Sequence, residues 1–265
     1  MTLCLKKGAN WGKIEQIEMG SGAPCENNGM PQFPMGEFAL KTAAALAQEG
    51  VLTMLVAPSM LASDFSHLAD ELKKITDGGA DYVHLDVMDG AFVPNISFGA
   101  PVIAAMRPHT SMLFDVHLMI QHPKRYIADF AKAGADIISF HVECADDPAE
   151  VIAEIVSHGV KPAMVLKPNT PAESIFPYLD KLYMVLLMTV EPGFGGQSFM
   201  PEPLLKARQL KEKNPSVLIE ADGGINAQTV LDCAQAGVDI CVAGTGVFKA
   251  TDPAQAIRQL QSAGC

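Results

Sequence analysis

The sequence lacks any pair of cysteines spaced as CxxC. Its six cysteines, Cys4, Cys25, Cys144, Cys233, Cys241 and Cys265, are scattered along 265 residues, which argues against a zinc ribbon or a disulfide-built scaffold and fits reduced thiols. No apolar run reaches the roughly 20 residues of a membrane helix. The N-terminal segment has neither the basic nor the apolar block of a signal peptide. A cytoplasmic protein with no membrane partner is therefore expected. Basic residues are scarce as well, with 19 Lys and Arg against 30 Asp and Glu and a net charge of -11. That balance opposes nucleic acid and anionic membranes as partners, since both require a basic surface. Any bound phosphate has to be held by local backbone groups and dipoles. No GxGxxG follows the first strand, which disfavours a dinucleotide fold, and no low-complexity tract or helical repeat is present.

What is present is a chain with 49% hydrophobic residues, long enough to bury a large core. Residues 1–53 differ from the rest. The stretch GSGAPCENNGMPQFPMG is turn-forming and aperiodic, and only Glu37 to Gln48 has helical character. This segment is expected to be a poorly ordered extension, with the compact domain over residues 54–265. Met54, just ahead of the first strand, is a candidate start of translation.

From Leu52 onward, short apolar runs alternate with amphipathic segments, the pattern of βα units on a parallel sheet. Strands are predicted over Leu52–Ala57, Tyr82–Val87, Met112–Leu118, Ile137–Val142, Ala163–Leu166, Leu182–Val190, Val217–Ala221 and Ile240–Ala243. Helices are expected from about Ser63, over Pro101–Met106, after Pro123, Pro148 and Pro171, and over Pro203–Lys213, Ala227–Ala236 and Asp252–Gln261. Eight such units in roughly 210 residues match a closed (β/α)₈ TIM barrel, whose loops after the strands form the active face. A doubly wound open sheet is the structural alternative.

The run VHLDVMDGAFVPN, from Val83 to Asn95, carries the chemistry. On a strand, His84, Asp86 and Met88 point one way and Val83, Leu85 and Val87 the other. A buried carboxylate beside a buried imidazole is costly unless the two are paired or bound to a metal. The third strand places Asp115, His117 and Met119 on one parity, and the seventh ends in Glu220 and Asp222. Strand ends converge in a barrel, so His84, Asp86, His117 and Asp222 can surround one point as ligands for a zinc, iron or manganese ion. His141 and His158, taken alone, read as hydrogen-bonded structural histidines. Asp89 and Asp115 read as turn or capping groups. Met88, Met119 and Met188 read as core fillers, or as an apolar, polarisable floor if they ring the site.

Three glycine-containing turns follow the last three strands: EPGFGGQS at Glu191–Ser198, DGG at Asp222–Gly224, and GTG at Gly244–Gly246. Freed backbone N–H groups and a nearby helix N-terminus bind phosphate without net positive charge, and phosphate sites after strands seven and eight recur in barrels. Taken singly, each is an ordinary tight turn. Together they favour a phosphorylated ligand.

In this order, APSML, HLDVMDGAFVPN, DVHLM, MTVEPGFGGQSF, EADGGI and VAGTGVF resemble ribulose-phosphate 3-epimerases, and the resemblance covers about Val56 to the C-terminus. It implies a barrel of the ribulose-phosphate-binding type that interconverts D-ribulose 5-phosphate and D-xylulose 5-phosphate, a step of the pentose phosphate pathway. It implies Asp86 and Asp222 as the acid and base, and His84, Asp86, His117 and Asp222 as ligands of one divalent ion (Zn²⁺, or else Fe²⁺, Mn²⁺ or Co²⁺). Ser59, His84, His117, Gly193, Phe194, Gly195, Gly196, Asp222, Gly223, Gly224, Gly244 and Thr245 are implied as substrate contacts. Two departures from the family pattern stand out. GT replaces the more usual GS at Gly244 and Thr245, and KPNT replaces NPGT or KPGT at Lys167–Thr170. Residues 1–53 have no counterpart in the family pattern.

Inverting a carbon beside a ketone takes two carboxyl groups on opposite faces, one ionised and one protonated, with an enediolate between. A D-allulose 6-phosphate 3-epimerase would use the same chemistry in a longer pocket. A Schiff-base aldolase acting through Lys167 and a non-catalytic sugar-phosphate-binding barrel are the other classes. Metal identity and oligomeric state, a homo-oligomer included, are left open by the sequence.

Overall fold

The computed structural model describes residues 54–264. The expected extension over residues 1–53 lies outside them. Eight parallel strands form one sheet: β1 (Leu55–Pro58), β2 (Tyr82–Met88), β3 (Leu113–Met119), β4 (Ile137–His141), β5 (Lys161–Leu166), β6 (Met184–Met188), β7 (Leu218–Asp222) and β8 (Ile240–Ala243). Neighbours in sequence are neighbours in the sheet, and β1 also pairs with β8. The sheet thus curls into a (β/α)₈ barrel, closed between β1 and β2 by a parallel bridge from Ser59 to His84.

The alternation read from the sequence holds on β2 and β3. Val83, Leu85, Val87, Phe114, Val116 and Leu118 belong to the large core between sheet and helices. Burying aliphatic side chains of this size stabilises the fold by about 1.5–3 kcal/mol each. The opposite parity, which includes His84, Asp86, Asp115 and His117, faces the barrel interior and is buried too.

A repeated device aligns the strands. Gly79-Ala80-Asp81, Gly134-Ala135-Asp136 and Gly237-Val238-Asp239 stand immediately before β2, β4 and β8, and each glycine has a positive φ (83°, 100° and 83°), the left-handed conformation that ends a helix cheaply only at glycine. Each aspartate then clamps the preceding strand twice. Its carboxylate accepts the N–H of Val56 (2.9 Å), Phe114 (2.8 Å) or Ile219 (2.7 Å), and its own N–H donates back to the same residue's carbonyl at 3.0, 3.0 and 2.8 Å. At Asp81 this clamp reinforces the β1–β2 seam, where the ladder is thinnest.

Several boundaries differ from expectation. The first helix begins at Leu68, after two 3₁₀ turns over Met60–Ala62 and Phe65–His67. The segment after β5 is a 3₁₀ helix, Ala172–Lys181, with Pro177 inside it; proline has no N–H and its ring obstructs the carbonyl four residues earlier, so an α-helix does not propagate there. The sixth strand stops at Met188 because Thr189 N–H turns to the carbonyl of Asp222 (2.7 Å) and the Thr189 carbonyl takes Met200 N–H (2.8 Å). A short helix at Thr245–Phe248, absent from the sequence reading, precedes the expected last helix, Pro253–Gln261.

Candidate active site

The parity that fills the core on one side of β2 and β3 puts four ligating groups together on the other. Donor atoms of His84, Asp86, His117 and Asp222 all lie within 4.8 Å of one another. His84 Nδ1 donates to Asp115 Oδ2 at 2.6 Å, which leaves Nε2 bearing a lone pair 3.4 Å from Asp86 Oδ1. That Nε2 is buried and has no hydrogen-bond partner among the described residues. His117 Nδ1 lies 3.2 Å from Asp86 Oδ1 and 4.0 Å from Asp222 Oδ2. Ser59 Oγ donates to the other Asp86 oxygen at 2.6 Å.

Two imidazole nitrogens and two carboxylates converging in a buried space form a cluster whose natural occupant is a cation. Two His nitrogens and two carboxylate oxygens are a fitting donor set for a divalent metal, and the orphaned His84 Nε2 is free to join it. A carboxylate behind a ligating histidine, as Asp115 stands behind His84, is the usual support for such a ligand. This buried His/Asp group can therefore hold a metal ion.

The two aspartates are electrostatically unlike. Burial pushes both carboxyls up, but at Asp86 the flanking His84 and His117 outweigh it and hold the group well below the usual carboxylate range. At Asp222 burial and the neighbouring Asp86 prevail, raising it to about 6. Such separation between two carboxyls is what an acid/base pair requires. Beneath them Glu220, buried and next to Asp115, is raised well above its ordinary value.

Above the cluster opens a cavity of about 500 Å³. Ser59, Asp86, Asp222 and the expected glycine turns line it: Gly193, Phe194, Gly195 and Gly196 after β6, Gly223 and Gly224 after β7, and Gly244 and Thr245 after β8. His84 and His117, expected as substrate contacts as well as ligands, are set beneath Asp86, fully buried and off the cavity wall. Met88, Met119 and Met188 do line it, as the apolar floor. Gly223 and Gly224, at φ 125° and 66°, are also required by packing: a Cβ at Gly223 would stand 2.5 Å from Val190 Cγ2, and one at Gly224 2.7 Å from Phe199 N. Asn95 of the β2 loop holds the glycine loop after β6 through a 2.7 Å bond from Nδ2 to the Gly193 carbonyl.

Asp89 caps its turn, accepting from the N–H groups of Ala91, Phe92 and Gln121 at 2.8, 2.8 and 2.9 Å. Asp115 does not cap a turn: it lies inside the barrel and orients His84. His158 is a surface residue 3.2 Å from Glu154, but His141 is fully buried with its Nε2 2.9 Å from His117 Nε2. It stands on β4 with the parity of Ile137 and Ser139, so the alternation that located His117 also points to it. Lys167 Nζ sits 4.1 Å above the Phe92 ring and is not on the cavity wall, which counts against a Schiff-base role.

Among the described residues, no helix is long and apolar enough to cross a membrane. Among solved structures, the barrel is similar to the protein KGPDC of Streptococcus mutans (TM-score 0.62, 14% identity, 80% of this chain and 97% of that one), a likeness of fold alone. Sequence similarity goes further. The chain is 46% identical over 210 residues to the cytoplasmic isoform of ribulose-phosphate 3-epimerase from Oryza sativa subsp. japonica, covering 78% of this chain and 92% of the rice protein. It is 47% identical over 211 residues to the ribulose-phosphate 3-epimerase of Bacillus subtilis, covering 78% and 97%. The description of the Ribulose-phosphate 3 epimerase family matches residues 55–248, the stretch that carries every strand and every expected site residue, and the chain belongs to that family.

Proposed function

We propose that this protein is a D-ribulose 5-phosphate 3-epimerase that inverts C3 by proton transfer between Asp86 and Asp222. The observation that carries the reading is the pair of buried carboxyls whose environments push their acidities apart at the floor of a cavity walled by glycine turns. Asp86, the more acidic, is ionised and takes the C3 proton of one epimer. Asp222, held nearer neutrality, delivers a proton to the opposite face of the resulting enediolate. In the reverse direction the roles exchange. Each positioned transfer is worth about 10²- to 10⁴-fold.

His84, Asp86, His117 and Asp222 would hold one divalent ion, for which Zn²⁺ suits the two imidazoles and two carboxylates. When bound, it supplies Lewis-acid stabilisation of charge developing on the substrate oxygens. Ser59 fixes the Asp86 carboxylate, and Met88, Met119 and Met188 exclude water from beneath the sugar. The glycine turns after β6, β7 and β8 offer backbone N–H groups to the phosphate. The name of the rice relative supports a cytoplasmic setting.

Turnover of D-ribulose 5-phosphate tests the reading directly, with D-allulose 6-phosphate as competitor substrate. A kcat/KM for the five-carbon sugar at least about tenfold higher, roughly 1.4 kcal/mol of transition-state discrimination, is expected. Preference for the six-carbon sugar sinks the substrate assignment but leaves the chemistry. Solvent deuterium at C3 of recovered ribulose 5-phosphate separates catalysis from mere binding.

Among the described residues, Lys249 is the one cation on a cavity wall that otherwise carries Asp86, Glu191 and Asp222, and it follows the Gly244–Gly246 turn. It lies near the surface, so a contact to a phosphate dianion contributes roughly 1 kcal/mol. Lys249→Met is expected to raise KM about fivefold with kcat nearly constant, the mark of lost uniform binding. Steady-state kinetics at low salt check it, and an unchanged KM removes Lys249 from the phosphate end.

A further inference from the structure

The side chains behind His117 form a continuous chain, from buried His141 to half-buried Glu143 and Thr170, and the direction of each hydrogen bond along it can be worked out from the far end. Glu143 Oε1 accepts the backbone N–H of Lys167 at 3.0 Å, a group that can only donate, and the hydroxyl of Thr170. Its other oxygen, Oε2, lies 3.2 Å from His141 Nδ1. A carboxylate only accepts, so His141 carries its proton on Nδ1 and presents a lone pair at Nε2. That Nε2 faces His117 Nε2 at 2.9 Å, so His117 donates from Nε2; its Nδ1, within hydrogen-bond distance of Asp86 Oδ1 at 3.2 Å, then offers a lone pair to a cation that displaces the proton of that contact. Nδ1 is the atom turned to Asp86 and Asp222.

We propose that Glu143 and His141 are positioning residues that lock His117 into the tautomer and ring orientation able to bind a metal through Nδ1, with Thr170 and the Lys167 backbone as the anchor. The proposal rests on the reading of His117 as a ligand. It also gives a role to the loop after β5, because Thr170, a residue that KPNT shares with the usual pattern, holds the glutamate that sets the chain's polarity. Packing fixes the rings as well, since His141 lies against Phe92 with centroids 4.7 Å apart, and Lys167 also packs on that ring. His84 is handled more simply, by Asp115 alone.

The discriminating change is Glu143→Gln, which replaces one oxygen by NH₂. The backbone N–H of Lys167 can only donate and requires the amide oxygen, with the Thr170 hydroxyl free to donate to the same oxygen, so the NH₂ faces His141 Nδ1. His141 then becomes the acceptor there and the donor at Nε2, and His117 is left with its proton on Nδ1, where the metal should bind. Loss of a partner behind a ligating histidine typically weakens metal binding about 10- to 100-fold, and that loss is expected for Co²⁺ titrated into the full-length variant. Nitrogen-15 spectra of histidine-labelled, metal-free protein give the independent measurement: His141 protonated on Nδ1 in the wild type and on Nε2 in Glu143→Gln. Equal Co²⁺ affinity in the two proteins overturns the proposal, as does a wild-type His141 with its proton on Nε2. If Glu143→Gln does not fold, the wild-type spectrum decides alone. If wild type binds no Co²⁺, the metal-centre reading fails while the His141 tautomers still decide the relay.

Discussion

Asp86→Asn and Asp222→Asn each lose epimerisation by at least about 10²- to 10⁴-fold, the worth of one positioned proton transfer, and both remain folded barrels. Folding survives because neither side chain sits in the core between sheet and helices. The opposite parity of β2, Val83, Leu85 and Val87, fills that core, and the Asp222 carbonyl that receives Thr189 N–H is backbone. At position 86 an amide keeps one oxygen acceptor for Ser59. The variants are expected to differ in one readout. Asp222→Asn retains Asp86, so it still exchanges C3 of one epimer with solvent deuterium, without inversion. Each variant also removes one of the four metal-ligating side chains, but Asp86→Asn removes the base that takes the proton of that epimer, and is expected to lose its exchange as well. Near wild-type turnover in either variant sinks the two-carboxylate scheme.

The barrel was legible because its strands are buried on both faces and separated by amphipathic segments, so β2 to β8 are found within a few residues of their observed limits. The errors have local causes that periodicity does not carry. Pro177 turns a helix into a 3₁₀ helix, and the Thr189 turn shortens β6 although Val190 continues the apolar run. The Gly-x-Asp clamps before β2, β4 and β8 were visible as a repeated tripeptide pattern; their partners, Val56, Phe114 and Ile219, were not, because those pairings depend on the closed sheet.

At the site, strand parity located His84, Asp86 and His117, and it contains more than was taken from it. Asp115 shares the parity of His117, which places it inside the barrel rather than in a turn, and His141 follows from the same count along β4. Glu143 and Thr170 are different. They meet across two loops, 27 residues apart in the chain, and no local pattern ties them to His117. The family resemblance names the metal ligands and the residues that touch the cavity, and it assigns no role to the groups behind His117.

Metal removal is the second large effect. Dialysis against a strong chelator is expected to cost several kcal/mol of transition-state stabilisation, which at about 1.4 kcal/mol per decade is a loss on the order of 10³-fold in kcat; Zn²⁺, Mn²⁺ or Co²⁺ add-back restores it. The structural reason is that the site cannot satisfy itself. Among the described residues His84 Nε2 is buried without a partner, and the carboxylates of Asp86 and Asp115 are buried beside it, so the cluster calls for positive charge. An ion that binds only the native state adds about 4 kcal/mol of stability at roughly a thousand times its dissociation constant, so the same add-back is expected to raise the melting temperature. Paired measurements separate two parts of the reading. Activity indifferent to chelation, in protein shown by elemental analysis to be metal-free, removes the Lewis acid and leaves Asp86 and Asp222 to act alone; a melting temperature that rises without recovery of turnover makes the ion structural and confines the chemistry to the two carboxyls.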